Sequence, residues 1–277
     1  MIKTPKIDRR KFVTAAAAVS VAGMSMPMWA SQAFAAKKGG TIRISVNRAP
    51  SKLNPLLHRL NSEYLVGELL YSGLVRLGPN MEAVPDLAES WTSNAGLDEW
   101  TFKLRSGAKF HNGQAVTAKD VVTCLRAILD KKTGSPGRRN LGPIASVDEG
   151  PGGTVVVKTS LSYGDLPIAL AYSTAKIAPA SVVSSDFERL SREAIGTGPF
   201  KLVSFEPDRL IVVERNPDYF LPEYPYVDRV EVMVFPDQAA EMAALASGEL
   251  DITLEVPPAE FKRVSTMSGI EGLRTKS

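Results

Sequence analysis

Cysteine and histidine are nearly missing from this chain. Its single cysteine, Cys124, cannot close an internal disulfide, so the fold must rest on its core and not on covalent staples. Cys124 falls between Val122 and Leu125 in a helical pattern, which predicts a buried and unreactive thiol. The two histidines, His58 and His111, lie far apart in different kinds of segment, so no metal site is expected; His111 reads as a turn residue closing "KFHNG". There is no G-x-S-x-G elbow, and no nucleophile–base pair stands out among the scattered carboxylates. Glycine-rich phosphate loops are also missing. In "IGTGPFKLVSF" Pro199 removes an amide that a phosphate cradle needs, and Lys201 stands where a dinucleotide fingerprint needs glycine. The sequence therefore points to no catalytic residue, no cofactor and no enzyme.

A strongly charged body is missing as well. Of 33 Lys and Arg, five (Lys3, Lys6, Arg9, Arg10 and Lys11) fall in the first 35 residues, which hold one of the 30 Asp and Glu, Asp8. The rest of the chain is thus one charge negative, and nothing marks it for nucleic acid. No internal repeat and no disordered composition is visible, and a chain of 277 residues that is 44% hydrophobic can build a substantial core.

What is there begins with a leader. A basic stretch, "KTPKIDRRKF", precedes a mildly apolar run rich in Ala and Ser, then "AFA", whose small residues Ala33 and Ala35 predict cleavage before a mature start at Ala36. Arg9, Arg10 and Phe12 in "DRRKFV" resemble a twin-arginine export signal, with Asp8 and Val13 departing from the usual residues. A spanning helix needs about 20 strongly apolar residues, and this weaker run is broken by Pro27. The expectation is a periplasmic protein, soluble after cleavage, that meets the twin-arginine export machinery.

The remaining chain reads as mixed α/β. "TIRISV" alternates as a strand, and "SEYLVGELLYSGLVRL" carries Leu65, Leu69, Leu70 and Leu74 at helical spacing. "EWTFKLRSGAKF" is expected to form a hairpin turned at Ser106-Gly107, with Trp100, Phe102 and Leu104 on one face. Thr117 and Asp120 predict a capping box opening a helix whose stripe is Val121, Val122, Leu125, Ile128 and Leu129. "DRVEVMVF", "DQAAEMAALASG" and "ELDITLEV" predict strand, helix and strand in a parallel crossover, hence a parallel sheet in the C-terminal third.

Several of these segments together resemble the extracellular solute-binding proteins of family 5, the peptide- and nickel-binding class that serves ABC importers. "LRSGAKFHNGQAVTAKDVV", led by Trp100, is similar to the family's hallmark stretch through Leu104, Arg105, Gly107, Phe110, His111, Gly113, Thr117, Asp120 and Val121. "VPDLAESW", "GTGPF", "RNPDYF" and "LASGELDI" follow the family's order. The resemblance implies a type II periplasmic-binding-protein-like first lobe with an inserted α+β subdomain. It places the first lobe at 36–79 and 191–277, and the insertion at 80–190. The chain stops at Ser277, about where the family crosses into a second lobe, so that lobe is expected to be missing. The implied function is binding of a peptide or similar small solute in an interlobe cleft, without catalysis, and delivery to an ABC transporter permease. The alternative is a truncated remnant or interaction module that keeps only the first lobe.

Three segments are candidates for contact with solute. By resemblance, Gly196, Thr197 and Gly198 sit at the cleft mouth, where glycine lets a solute approach main chain. The other reading is a turn whose glycines take positive φ and touch nothing. "NRAPSKLNP" lies at the end of the first strand, where open α/β sheets present ligands, and offers Ala49, Pro50, Leu53 and Asn54; it also reads as a plain proline-bent connection. Tyr172 and Ser173 are the third, with the tyrosine either stacking on a solute or packing in the core.

Overall fold

The computed structural model describes residues 38–267 and 269–272; Arg9, Arg10, Phe12, Ala33 and Ala35 lie outside them. Strand β1 (Thr41–Val46) is buried over its last three residues, as expected of a strand with neighbours on both edges. Helix α1 (Asn61–Leu70) stops earlier than the leucine spacing predicts, because Tyr71 turns to extended backbone and leads into Ser72-Gly73. A short hairpin follows, β2 (Val75–Leu77) with β3 (Ala83–Pro85).

Next come β4 (Ala88–Ser93) and β5 (Glu99–Leu104), then α2 (Ala118–Leu129), β6 (Ile144–Glu149) and β7 (Val155–Thr159). They form a sheet in the order β4-β5-β7-β6. The hairpin expected at Ser106-Gly107 does not form. β5 is central, antiparallel to β4 and β7, and the chain beyond Gly107 makes only one bridge of its own, Lys109 to Ala115. Trp100 and Phe102 do point into the core together, with Leu104 half-buried beside them. The Thr117 capping arrangement is present: the Asp120 carboxylate accepts from the Thr117 N–H at 2.8 Å and its hydroxyl at 2.6 Å. Val121, Val122, Leu125 and Ile128 are buried along α2, as its stripe predicts. Cys124 is fully buried there; its thiol donates to the Ala178 carbonyl, and burial pushes its pKa up to about 12.

Two short helices, α3 (Leu166–Leu170) and α4 (Ala180–Ser185), lead to β8 (Phe200–Glu206), β9 (Leu210–Arg215), β10 (Arg229–Val234), α5 (Gln238–Ser247), β11 (Ile252–Thr253) and α6 (Pro258–Val264). The larger sheet runs β11-β1-β10-β9-β8. β1 lies between β10 and β11 and is parallel to both. The parallel arrangement expected of the C-terminal third is present in β10, β1 and β11, and β9 and β8 extend the sheet antiparallel, so the sheet as a whole is mixed. β8 and β9 are joined by three residues, with Asp208 at φ 61, and so short a loop can only pair strands antiparallel. β11 is shorter than "ELDITLEV" suggests, pairing only opposite Ile44 and Ser45 before Pro257-Pro258 ends extended pairing. Arg43 holds it in place with a two-bonded ion pair to Asp251, both contacts 3.0 Å. The strands of this sheet thus come from 41–46 and 200–253, and those of the other sheet from 88–159 in between.

Candidate functional site

β1, β10 and β11 end together, and a cavity of about 190 Å³ opens there. Carboxyl ends of parallel strands are where α/β sheets commonly leave a crevice, because the chain departs in different directions from neighbouring strands. Ser45, Val46 and Asn47 reach it from β1 and its exit, Asn61 and Ser62 from the first turn of α1, Gln238 and Glu241 from the first turns of α5, and Leu254 and Glu255 from beyond β11. Phe235 and Pro236 supply apolar wall.

The polar groups are held by one another. Glu241 is only 5% exposed, and its carboxylate accepts from the Ser45 hydroxyl at 2.5 Å and the Thr253 hydroxyl at 2.6 Å. The Asn47 and Asn61 amides each reach Glu255 at 3.4 Å, a long and therefore weak contact. Ser62 is buried, and its hydroxyl has no hydrogen-bond partner among the described residues. An unsatisfied buried hydroxyl costs about 1–3 kcal/mol, so Ser62 is a local cost to the fold behind the cavity wall.

The residues singled out in the sequence are placed differently. Thr197 is fully buried; its hydroxyl accepts from the Ser72 N–H at 3.2 Å, and it lines neither the cavity at the end of β1 nor the one beside α6. The reading of Gly196, Thr197 and Gly198 as a solute-facing loop is corrected accordingly, and so is the positive-φ turn, since neither glycine has positive φ. Both glycines are needed for close approach: a Cβ on either would collide with the backbone of Leu70 at the end of α1. Gly198 donates to the Leu70 carbonyl at 3.0 Å, and its own carbonyl receives Asn216 at 3.0 Å and His111 Nε2 at 3.2 Å. His111 also donates its backbone N–H to Gly196. It is therefore more than a turn residue, because it ties the "KFHNG" loop to the glycine segment.

In the "NRAPSKLNP" loop, Leu53 is a fully buried core residue and Asn54 is fully buried as a cap, accepting from the Leu56 N–H at 3.1 Å. Pro50 is buried and Ala49 half-buried, and none of the four lines either of these two cavities. What the loop does present is Asn47. Glu63 organises the rest, accepting from the Ser51 N–H and hydroxyl and from the backbone of Arg59 and Leu60. Burial pushes the Glu63 carboxyl up, but these four donors outweigh it and hold the pKa below its ordinary value. Tyr172 is half-buried and packs edge-on against Tyr64 with ring centres 6.2 Å apart; Ser173 is half-buried beside it. Among the described residues no three His, Cys, Asp or Glu side chains gather as a metal site.

Sequence reasoning thus pointed to the end of β1, where the structure brings Asn47 of that loop to the cavity in place of Ala49, Pro50, Leu53 and Asn54. A usable signal was Glu241, a carboxylate in an alanine-rich helix, one turn before Leu245 on the buried face.

Comparison with known proteins gives consistent results. Residues 82–276 match the family model for bacterial extracellular solute-binding proteins, family 5. The chain is 31% identical to a putative ABC transporter peptide-binding protein of Brucella ovis, over 94% of this chain and 49% of that protein. It is 26% identical to the oligopeptide-binding protein AppA of Bacillus subtilis, over 85% of this chain and 44% of AppA. Among solved structures it is similar to the binding protein AgaA from A. tumefacien R10 in complex with agropinic acid (TM-score 0.78, 30% identity, 82% of this chain and 46% of AgaA). It is also similar to AppA in complex with a nonapeptide (TM-score 0.75, 26% identity, 84% of this chain and 47% of AppA). The chain spans about half the length of the relatives it matches.

Proposed function

The chain belongs to family 5 of the bacterial extracellular solute-binding proteins, and from that premise we propose that it receives a peptide, or a solute of similar hydrogen-bonding character, for an ABC importer. The cavity where β1, β10 and β11 end is the receiving surface, and it acts by binding without chemistry. The observation that carries this reading is the cavity's composition. It presents side-chain amides and carboxylates against one apolar wall. Sites for small polar ligands commonly combine apolar lining with a few placed polar groups.

In the two-lobed arrangement that the family resemblance implies, this cavity lies on the face of the first lobe turned to the cleft. A further part of such a protein closes over the solute, and the loaded form is the one a permease recognises. Export to the periplasm by the twin-arginine route belongs to the same reading. Among the described residues no helix is long and apolar enough to cross a membrane.

A thermal-shift and calorimetric screen of the full chain against di- to nonapeptides and amino-acid conjugates tests the reading. A bound solute at a hundred times its Kd adds about 2.7 kcal/mol of stability. The expected result is stabilisation by at least one peptide class, weakened by Asn47→Ala. A folded sample that no member of the panel stabilises overturns it.

A further inference from the structure

We infer that the loop after α2 is a docking surface for an anionic phospholipid bilayer, whose phosphates its lysines and arginines meet. Lys131, Lys132, Arg138 and Arg139 are all exposed there. Asp130 is the only acid between Arg126 and Asp148, and its carboxylate is turned to the Lys132 backbone N–H at 2.9 Å. Arg59 joins from a distant segment. Its guanidinium donates to the Gly134 carbonyl at 2.9 Å, and the Ser135 hydroxyl donates to the Leu56 carbonyl at 2.5 Å, so the two segments are pinned together. Arg138 folds back to give its Nε–H to the Leu129 carbonyl at 3.0 Å. Arg59, Lys131, Lys132, Arg138 and Arg139 are thus gathered on one loop.

Among the described residues none of these cations has an ion-pair partner, although ion pairs are common elsewhere on the chain. Beyond the leader the chain carries more Asp and Glu than Lys and Arg, so a positive face stands on a slightly negative body. Like charges held this close repel one another and weaken the compact state. One structural need calls for a cation here. α2 ends at Leu129, and a helix C-terminus carries about half a negative charge. Arg138 answers that need by bonding the Leu129 carbonyl. Lys131, Lys132 and Arg139 are left in excess, with Arg59 added from outside.

The form of this surface selects its partner. None of the cations lines the cavity at the end of β1 or the one beside α6, so they do not enclose a small anion in either. A folded protein partner is gripped mainly by aromatic and arginine anchors seated in pockets, and lysine is depleted at such interfaces. The stretch "KKTGSPGRRN" has no aromatic and no large apolar residue. Long exposed side chains without fixed partners suit headgroups that themselves move. Each Lys or Arg brought to an anionic leaflet is worth about fivefold in partitioning, within a screening length of about 8 Å at physiological salt. This docking is independent of the solute cavity and goes beyond that reading.

Co-sedimentation with vesicles of phosphatidylcholine, alone or mixed with phosphatidylglycerol, tests the assignment at low and high salt. The leader is itself basic, so the reference is the full chain carrying Lys3→Gln, Lys6→Gln, Arg9→Gln, Arg10→Gln and Lys11→Gln. Into it go Lys131→Gln, Lys132→Gln and Arg139→Gln, exposed changes that spare the Leu129 and Gly134 contacts. A control set, Lys109→Gln, Lys119→Gln and Lys262→Gln, removes the same charge from exposed positions elsewhere. The expected result is binding to phosphatidylglycerol vesicles alone, lost at high salt, and weakened about a hundredfold by the loop set. The control set should weaken it far less. Equal binding to phosphatidylcholine, no binding by the reference, or equal losses from both sets each overturn the assignment. Loop-dependent binding of soluble polyglutamate by a chain that ignores the vesicles also overturns it, in favour of an acidic protein.

Discussion

Gly196 and Leu70 stand so close that a single added carbon cannot be placed between them: a Cβ on Gly196 would fall within bonding range of the Leu70 carbonyl oxygen. The end of α1 is seated on the glycine segment, which in turn is bonded by His111 and Asn216. Three of the segments that carried the family resemblance, "KFHNG", "GTGPF" and "RNPDYF", meet at this one junction. They hold the two sheets' connecting chain together, and the cavity at the end of β1 lies elsewhere.

Substituting at that junction gives the first prediction. Gly196→Ala and Gly198→Ala each force backbone apart, and overpacking of this kind costs about 1–3 kcal/mol or more. Urea unfolding of each variant should show the midpoint lowered at unchanged slope. A midpoint within error of the parent shows that the contact relaxes freely.

The second prediction concerns pH. Burial pushes the Asp86 carboxyl up to about 6, opposed by Lys176 and by the Gly73 N–H. Its folded pKa exceeds its unfolded one, so the folded state holds the extra proton and stability falls as pH rises from about 4 to about 6. His58 behaves in the opposite sense. It is fully buried with no hydrogen-bond partner for either ring nitrogen among the described residues, and burial lowers its pKa to about 4. Its neutral form is favoured on folding, so stability rises with pH between about 4 and 6.5. The two slopes nearly cancel in the parent, which should unfold with little pH dependence from these groups. Asp86→Asn should expose the histidine slope, worth up to about 3 kcal/mol. Denaturation curves at pH 4.5 and 7 decide it, and an Asp86→Asn variant as flat as the parent refutes the balance.

Asp120 provides the third. Its carboxylate serves the Thr117 backbone and hydroxyl and, at 2.7 Å, the buried N–H of Ala180 at the start of α4. Asp120→Ala removes a helix cap and orphans a buried donor, each worth about 1 kcal/mol or more. A loss of about 2–3 kcal/mol in calorimetry is expected, with Asp120→Asn recovering part of it. Equal stability for alanine and aspartate at this position counts against the role.

Cys124 gives the fourth. A fully buried thiol with its pKa raised to about 12 has almost no thiolate at neutral pH. Ellman's reagent should leave the native protein unmodified and titrate one thiol in urea. Fast labelling of the native form indicates that α2 opens readily.

Much of the architecture was legible in the residues because its signals are local. Alternation in "TIRISV" and "RLIVVERN", the Thr117–Asp120 spacing and the Gly248 stop after α5 each depend on neighbours within a turn or two. The misreadings share one cause, that pairing is decided at a distance. Ser106-Gly107 looked like a hairpin turn until β7, about fifty residues on, took the free edge of β5. The glycines of "GTGPF" carried the sign of a tight backbone approach, but a sequence does not say to what. The partner is Leu70, and no solute is needed to explain them.

The candidate site shows the division most sharply. From residues alone came the mixed α/β class, the family resemblance and the end of β1 as a candidate face for ligand. Only the fold brought Ser45 to Glu241 across 196 positions, set Asn47 and Asn61 against Glu255, and left the Ser62 hydroxyl unanswered. Helices and caps are chosen by interactions between near neighbours, and a binding cavity by the convergence of strand ends that chain connectivity keeps far apart.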